Sequence, residues 1–201
     1  MESQDNNKVS GSVDGIGGSK GGVGMSTKVS ICDLILRVLA LLLTLAAAIV
    51  LGVDKQTKVV PFQFTPTLPL VNVEAHAKWH YLSAFVYSMV ANIIACSYGA
   101  ISSLILLGTL YRKTGLVQII TVFDLVMVGL LFSANGAALA IGLMGYKGNS
   151  HVQWNKVCNV FDKFCDQAAI SIVLSLVGSL VFMALVAVAV LTFHKRFASR
   201  N

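Results

Sequence analysis

Four long apolar blocks alternate with polar stretches along the chain, at residues 34–53, 82–110, 116–144 and 168–193. Each is long enough to cross a hydrocarbon core of ~30 Å as a helix rising about 1.5 Å per residue. None carries the polar stripe that a helix on the surface of a water-soluble bundle shows. All three prolines, Pro61, Pro66 and Pro69, fall between the first two blocks, so the blocks are free of helix breakers. The pattern predicts an all-α membrane protein, a four-transmembrane-helix bundle with cytoplasmic N- and C-termini. The membrane domain covers residues 31–194, with outer loops at 54–81 and 145–167 and an inner turn at 111–115. A structureless tail is expected at 1–30 and a short basic tail at 195–201.

Polar residues inside the apolar blocks carry the chemistry. The third block holds a single charged residue, Asp124. A lone carboxylate in a membrane helix costs about 2.5–3.5 kcal/mol on insertion scales, so it requires a partner in the same membrane. Arg37, in the first block, is the one intramembrane cation. With both termini on the cytoplasmic side, Asp124 lies about 12 Å into its helix and Arg37 about 5–9 Å into its own, within the reach of an arginine side chain. Asp33, four residues before Arg37, is a second acid within pairing distance along the helix.

Small and polar residues at helical spacing mark the faces that meet other helices. In the first block these are Arg37, Ala40, Thr44 and Ala47/Ala48. In the second they are Ser88, Asn92, Cys96, Gly99 and Ser103. In the third, Asn135 shares the face of Asp124, and Gly129, Ser133 and Ala137 form a small-xxx-small row. In the fourth, Ser171, Ser175 and Ser179 recur every four residues.

Composition supports this picture. The chain is 56% hydrophobic and only 12% charged, against about 25% charged in ordinary soluble domains. The formal charge of +6 reads as a topology signal, not as a nucleic-acid footprint. Eight basic residues fall on the side of the termini and inner turn and six on the side of the long loops, but five of the eight are packed into the inner turn and C-terminal tail. Short basic flanks stay in the cytoplasm, and they add affinity for an anionic inner leaflet. The first apolar block starts too late and runs too long for a cleavable signal peptide and is expected to remain as an anchor. The chain shows no N-myristoylation or prenylation signal and no Asn-x-Ser/Thr sequon.

The tail contains SKGGVGMST at 19–27, a near-match to a phosphate-binding loop, but Met25 stands where the phosphate lysine belongs and no strand precedes it. In the first outer loop, the apolar, β-prone segment 59–73 is open to lying on the membrane, pairing as strands or contacting a neighbour. His76 and His80 have the spacing of metal ligands on a helix, but nothing completes a site, and an aromatic membrane border with Trp79 and Tyr81 accounts for the segment. In the second outer loop, Cys158 and Cys165 are expected to form a local disulfide in the oxidising exterior, while Cys32 and Cys96 stay reduced. No cofactor and no metal are implied.

Taken together, these residues resemble the plant Casparian strip membrane domain family, and more closely its CASP-like first subgroup, related to the MARVEL four-helix proteins. The resemblance rests on the arginine in LILRVLALLLTLAAAIV, the aspartate in TVFDLVMVGLLFSANGAALAIG, the cysteine pair in WNKVCNVFDKFCDQ and the four-span topology, over roughly residues 28–194. It implies a multi-pass plasma-membrane protein that associates with itself and with related CASP-like proteins, as homo- and hetero-oligomers, and organises secreted cell-wall enzymes. True strip formers carry a motif resembling ESLPFFTQF in the first outer loop. The corresponding KQTKVVPFQFTPTLPLV lacks its leading glutamate, which points to a scaffold role other than the strip itself. The leading reading is a non-enzymatic membrane scaffold; the alternative is a small-solute or proton transporter using Asp124. No nucleophile–base pair supports an enzyme.

Overall fold

The structure is a computed structural model that describes residues 20–62, 71–108, 114–148, 150–152 and 156–198. The chain divides into two units, Met1–Cys32 and Asp33–Asn201; the architecture below is that of the second. The described elements are helix α1 (Lys20–Gly52), strands β1 (Lys55–Phe62) and β2 (Val71–Lys78), and helices α2 (Ser83–Leu107), α3 (Thr114–Lys147) and α4 (Asp162–Ala198). All four helices are long and apolar enough to cross a membrane.

Helix α1 begins at Lys20, ten residues before the expected end of the tail. Extending a helix already nucleated by an apolar span adds a bond per residue without a new nucleation penalty. This offsets the roughly 1 kcal/mol cost of each glycine in the stretch. The near-match to a phosphate-binding loop is therefore continuous helix from Lys20 onward. The rest of the tail, residues 1–19, lies outside the described residues.

The four helices surround a core of Ala40, Ala91, Ala95, Met127, Leu131, Ala134, Phe182 and Leu185. A Cβ on Gly99 would stand 3.4 Å from Leu41, and one on Gly178 would stand 3.2 Å from the Thr44 methyl. Helix α1 thus lies against α2 at one glycine and against α4 at another. The polarity of the unit is inverted relative to a soluble bundle. Arg37, Thr44, Asn92, Asp124, Asn135, Ser171, Ser175 and Ser179 are buried, whereas Ile35, Leu42, Ile49, Ile101, Leu104 and Leu125 are exposed. Only a hydrocarbon surround makes that arrangement favourable.

At the end of the bundle where α1 finishes and α4 begins, β1 and β2 pair antiparallel from Lys55↔Lys78 to Phe62↔Val71. Of the three arrangements open to segment 59–73, the described part adopts the strand pair. The hairpin is also longer than its apolar stretch and takes in EAHAK. His76 therefore sits on a strand, where it hydrogen-bonds the Thr57 hydroxyl at 2.9 Å, and His80 sits in a 3₁₀ turn at Trp79–Tyr81. The helical spacing that would have aligned the two imidazoles does not exist.

The hairpin is tied to the bundle by side chains. The Trp79 indole donates to Gly52 O at 3.1 Å, satisfying a carbonyl at the end of α1. Gln56 accepts from the Phe164 amide in the first turn of α4 at 3.0 Å, and both Gln56 and Lys58 donate to Asp162 at 3.0 Å. Beneath lies a second apolar cluster built on Leu51, Phe85, Ala138, Phe161, Phe164 and Ala168. Helix α3 stops at Gly148, whose φ of 71° is the left-handed conformation of a helix C-terminus; its amide returns to Met144 O at 2.9 Å.

Candidate functional site

The site with the most organised chemistry is a charge cluster inside the bundle. Asp33 and Arg37 lie one turn apart on α1, Tyr98 lies on α2 and Asp124 on α3. The Arg37 guanidinium donates through Nη1 to Asp124 Oδ1 at 3.1 Å and through Nη2 to Oδ2 at 2.9 Å. This is the planar two-bond geometry that arginine makes with a carboxylate and lysine does not. The third direction of the fork is used as well, Nε donating to Asp33 Oδ2 at 3.3 Å. The Tyr98 hydroxyl donates to Asp124 Oδ1 at 2.7 Å. Arg37 is 3% exposed and Asp124 fully enclosed.

In such a place an unpaired ion is destabilising by several kcal/mol, so each partner holds the other. Both Asp124 oxygens are occupied. The arrangement has the character of a structural clasp joining three helices.

The other candidate residues divide into two groups. Thr44, Asn92, Asn135, Ser171, Ser175 and Ser179 all face the interior. Ser171 donates across the helix interface to Ala47 O at 2.8 Å, Thr44 to Ala40 O at 2.9 Å, and Asn92 to Ser88 O at 2.8 Å. Oδ1 and Nδ2 of Asn135, Oδ1 of Asn92 and Oγ of Ser175 have no hydrogen-bond partner among the described residues.

Gly129, Ser133 and Ala137 do not form an interior row. Gly129 and Ser133 are exposed and Ala137 is only half-buried. A Cβ on Gly129 would meet nothing within 4 Å. The face of α3 turned to the bundle carries Asp124, Met127, Leu131, Ala134, Asn135 and Ala138; Gly129 lies on the opposite side, and Ser133, though exposed, accepts from the Tyr87 hydroxyl of α2 at 3.3 Å. The outward small row instead continues through Gly136 and Ala140, both exposed.

Cys158 and Cys165 are joined as a disulfide, their Cα atoms 5.6 Å apart. Val157 N and Cys158 N both donate to Gly145 O, at 2.9 and 3.3 Å, so the disulfide loop is fastened to the end of α3.

Tyr98 was not evident as a site residue, although a signal for it exists. Tyr98 and Asp124 lie equally far in sequence from residue 111, and a tight antiparallel connection sets such positions level across the two helices. The Gln56–Asp162 and Lys58–Asp162 contacts had no local signal, because the partners are more than 100 residues apart.

Comparison with known proteins identifies the family of the chain. Residues 26–181 match the Casparian strip membrane protein domain. A CASP-like protein 1E1 of Populus trichocarpa is 62% identical over 167 residues, covering 83% of this chain and 85% of that protein. A CASP-like protein 1E2 of Vitis vinifera is 61% identical over 164 residues, 82% of this chain and 84% of the relative. A CASP-like protein 1E1 of Arabidopsis thaliana is 52% identical over 187 residues, 92% and 96% of the two chains. No solved structure matches the chain. With a domain match over most of its length and curated relatives at this identity, the chain belongs to the Casparian strip membrane protein domain family, as a multi-pass CASP-like membrane protein.

Proposed function

We propose that this protein is a non-enzymatic plasma-membrane scaffold, with both termini in the cytoplasm, that associates with itself and with related CASP-like proteins and thereby organises membrane domains and holds secreted cell-wall enzymes in place. The observation that carries the reading is the outward face of α3. Gly129, Ser133, Gly136 and Ala140 follow one another at four-, three- and four-residue steps, so they lie on one stripe. All four are exposed, and Gly129 and Gly136 have open space where a side chain would stand. Leu125, Phe132 and Leu139 border the stripe and are exposed too. In lipid, such a groove lets a second helix approach closely and gain dispersion contacts that lipid tails do not match. Arg37 and Asp124 pair within one chain, so the reading rests on the outward stripe and not on the buried charges.

The disulfide, at the end of the bundle where α1 finishes and α4 begins, supports an orientation with that end outside the cell, and the basic residues near the end of the sequence support an inner-leaflet contact with anionic lipid.

Photobleaching recovery of a fluorescent fusion in its own cell membrane tests the scaffold. The wild type is expected to recover slowly in restricted patches. A Gly129→Leu/Gly136→Leu variant is expected to reach the surface in equal amount and diffuse freely. Free diffusion of the wild type, or patches that persist in the variant, would remove the proposal.

A further inference from the structure

At the junction of α1 and β1 lies a carboxylate to which the fold assigns no partner. Asp54 is 1% exposed. Its backbone amide continues the end of α1 by donating to Leu51 O at 3.1 Å, but neither Oδ1 nor Oδ2 has a hydrogen-bond partner among the described residues. It sits beyond the membrane span, which ends at Gly52, and immediately before the first strand residue, Lys55.

Ionisable groups are plentiful around it, and none of them serves it. The hairpin and its turn carry Lys55, Lys58, Glu74, His76, Lys78 and His80. Lys58 is taken by Asp162, His76 by Thr57, and Lys78 lies over the Tyr81 ring at 5.8 Å. The disulfide loop brings Lys156, the end of α3 Lys147, and the start of α4 Asp162, Lys163 and Asp166. No bond or ion pair from any of these reaches either Asp54 oxygen.

A buried carboxyl without donors is stable only in its neutral form. Burial alone pushes the Asp54 carboxyl up from 3.8 to about 7. The hairpin is seated by Trp79 to Gly52, Gln56 to Phe164 and Asp162, the exposed Lys58–Asp162 pair and the packing of Ala75, Ala77 and Trp79 on the apolar cluster. An exposed pair is worth little, so the apolar contacts carry most of the seating, and an ionised Asp54 in a site without donors acts against them.

We propose that Asp54 is a proton-binding site that governs the seating of the hairpin: with the carboxyl protonated the strand pair stays docked on the ends of α1 and α4, and ionisation releases it. The ligand is a proton rather than a metal ion, because no group of three or more His, Cys, Asp or Glu side chains gathers there among the described residues. The sign follows from linkage. The docked state holds its proton to higher pH than the released state, so raising the pH favours release. Docking is unaffected below about pH 4, weakens about tenfold per pH unit from there to about 7, and levels off above. The seated hairpin is thus the form of an acidic exterior. The inference is independent of self-association.

The test is a spin-label distance between Val59→Cys on the hairpin and Tyr146→Cys on α3, in nanodiscs. Both sites are exposed, at 59% and 68%. Cys32 and Cys96 are replaced by serine and the disulfide is kept. In the protein with Asp54 intact, the distribution is expected to be narrow at pH 5 and to broaden toward longer distances at pH 8, the ratio of seated to released hairpin falling by roughly two orders of magnitude. With Asp54→Asn it is expected to stay narrow at both; Asp54→Ser serves the same purpose should the amide not fold. An unchanged distribution with Asp54 intact overturns the proposal. So does equal broadening in the neutral variant, which retains His76 and His80 and would assign the titration to them.

Discussion

At the scale of single residues, the fold depends on Arg37 more than on any other side chain described. It satisfies Asp124 with two bonds and Asp33 with a third. Replacing Arg37 with methionine takes away the cation that meets both oxygens of the fully enclosed Asp124, and the expected loss is about 3–5 kcal/mol. Arg37→Met/Asp124→Leu removes both members of the clasp and is expected to recover part of that loss. Thermal unfolding of the four proteins of this cycle in detergent measures the coupling, and strict additivity would deny the pairing. Tyr98→Phe keeps the ring and loses only the hydroxyl at 2.7 Å from Asp124. A loss of about 0.5–2 kcal/mol is expected, since intramembrane hydrogen bonds are worth less than their isolation suggests. Arg37 and Asp124 were legible in the sequence because charge inside an apolar block is rare and has to be compensated. Tyr98 was not, because a phenol in a membrane helix is compatible with a lipid-facing border as well as with an interior bond.

At the scale of elements, the helices were legible and the hairpin only in outline. Helix spans follow from length and hydropathy alone, which is a property of each segment by itself. The hairpin depends on contacts far away in sequence, such as Gln56 with Phe164 and Trp79 with Gly52. Its second strand, VNVEAHAK, has too mixed a pattern to declare itself. The small-residue rows show the same limit: spacing marked Gly129 and Ser133 as a close-packing row without saying which side of α3 the row faces. Where the partner is known, the consequence is definite. Gly178→Leu would place side-chain atoms where α4 touches Thr44 and Leu43, with the Cβ already at 3.2 Å from the Thr44 methyl. Overpacking of about 1–3 kcal/mol is expected, whereas Gly136→Leu, in α3 with open space where the side chain would stand, is expected not to lower the melting temperature of the monomer. Reduction of the Cys158–Cys165 bond opens a loop with a sequence separation of only 7. The expected loss is about 2–3 kcal/mol, in the lower part of the range for disulfides, because short loops have little entropy to release. A melt with and without reductant, compared with Cys158→Ser/Cys165→Ser, measures it.

At the scale of the whole molecule, the inversion of polarity sets how the chain meets its surroundings. Polar groups are turned inward on all four helices, and the exterior between the ends is aliphatic, so the membrane fixes the axis of the bundle but not which end faces the cytoplasm. That choice rests on the charges beyond the spans. The connection between α2 and α3 carries Arg112 and Lys113, the last turn of α4 carries Lys195 and Arg196, and Arg200 follows it, all within a few residues of the apolar segments. The opposite end spreads its lysines over two long loops, where they bear less on insertion. An epitope tag placed after Ser150, in the connection between α3 and α4, is therefore expected to stain intact cells, and a tag at the C-terminus only permeabilised ones. The reverse result would put the disulfide in the reducing cytosol, contrary to its chemistry, and would turn the hairpin and Asp54 away from the exterior. Moving the charge tests the cause as well as the fact. Arg112→Gln/Lys113→Gln together with Lys195→Gln/Arg196→Gln strips the dense flanks while leaving the four apolar segments untouched. If those flanks hold the termini inside, a fraction of the protein is expected to insert inverted and stain at the C-terminal tag without permeabilisation. Unchanged staining would locate the topological signal in the N-terminal unit instead.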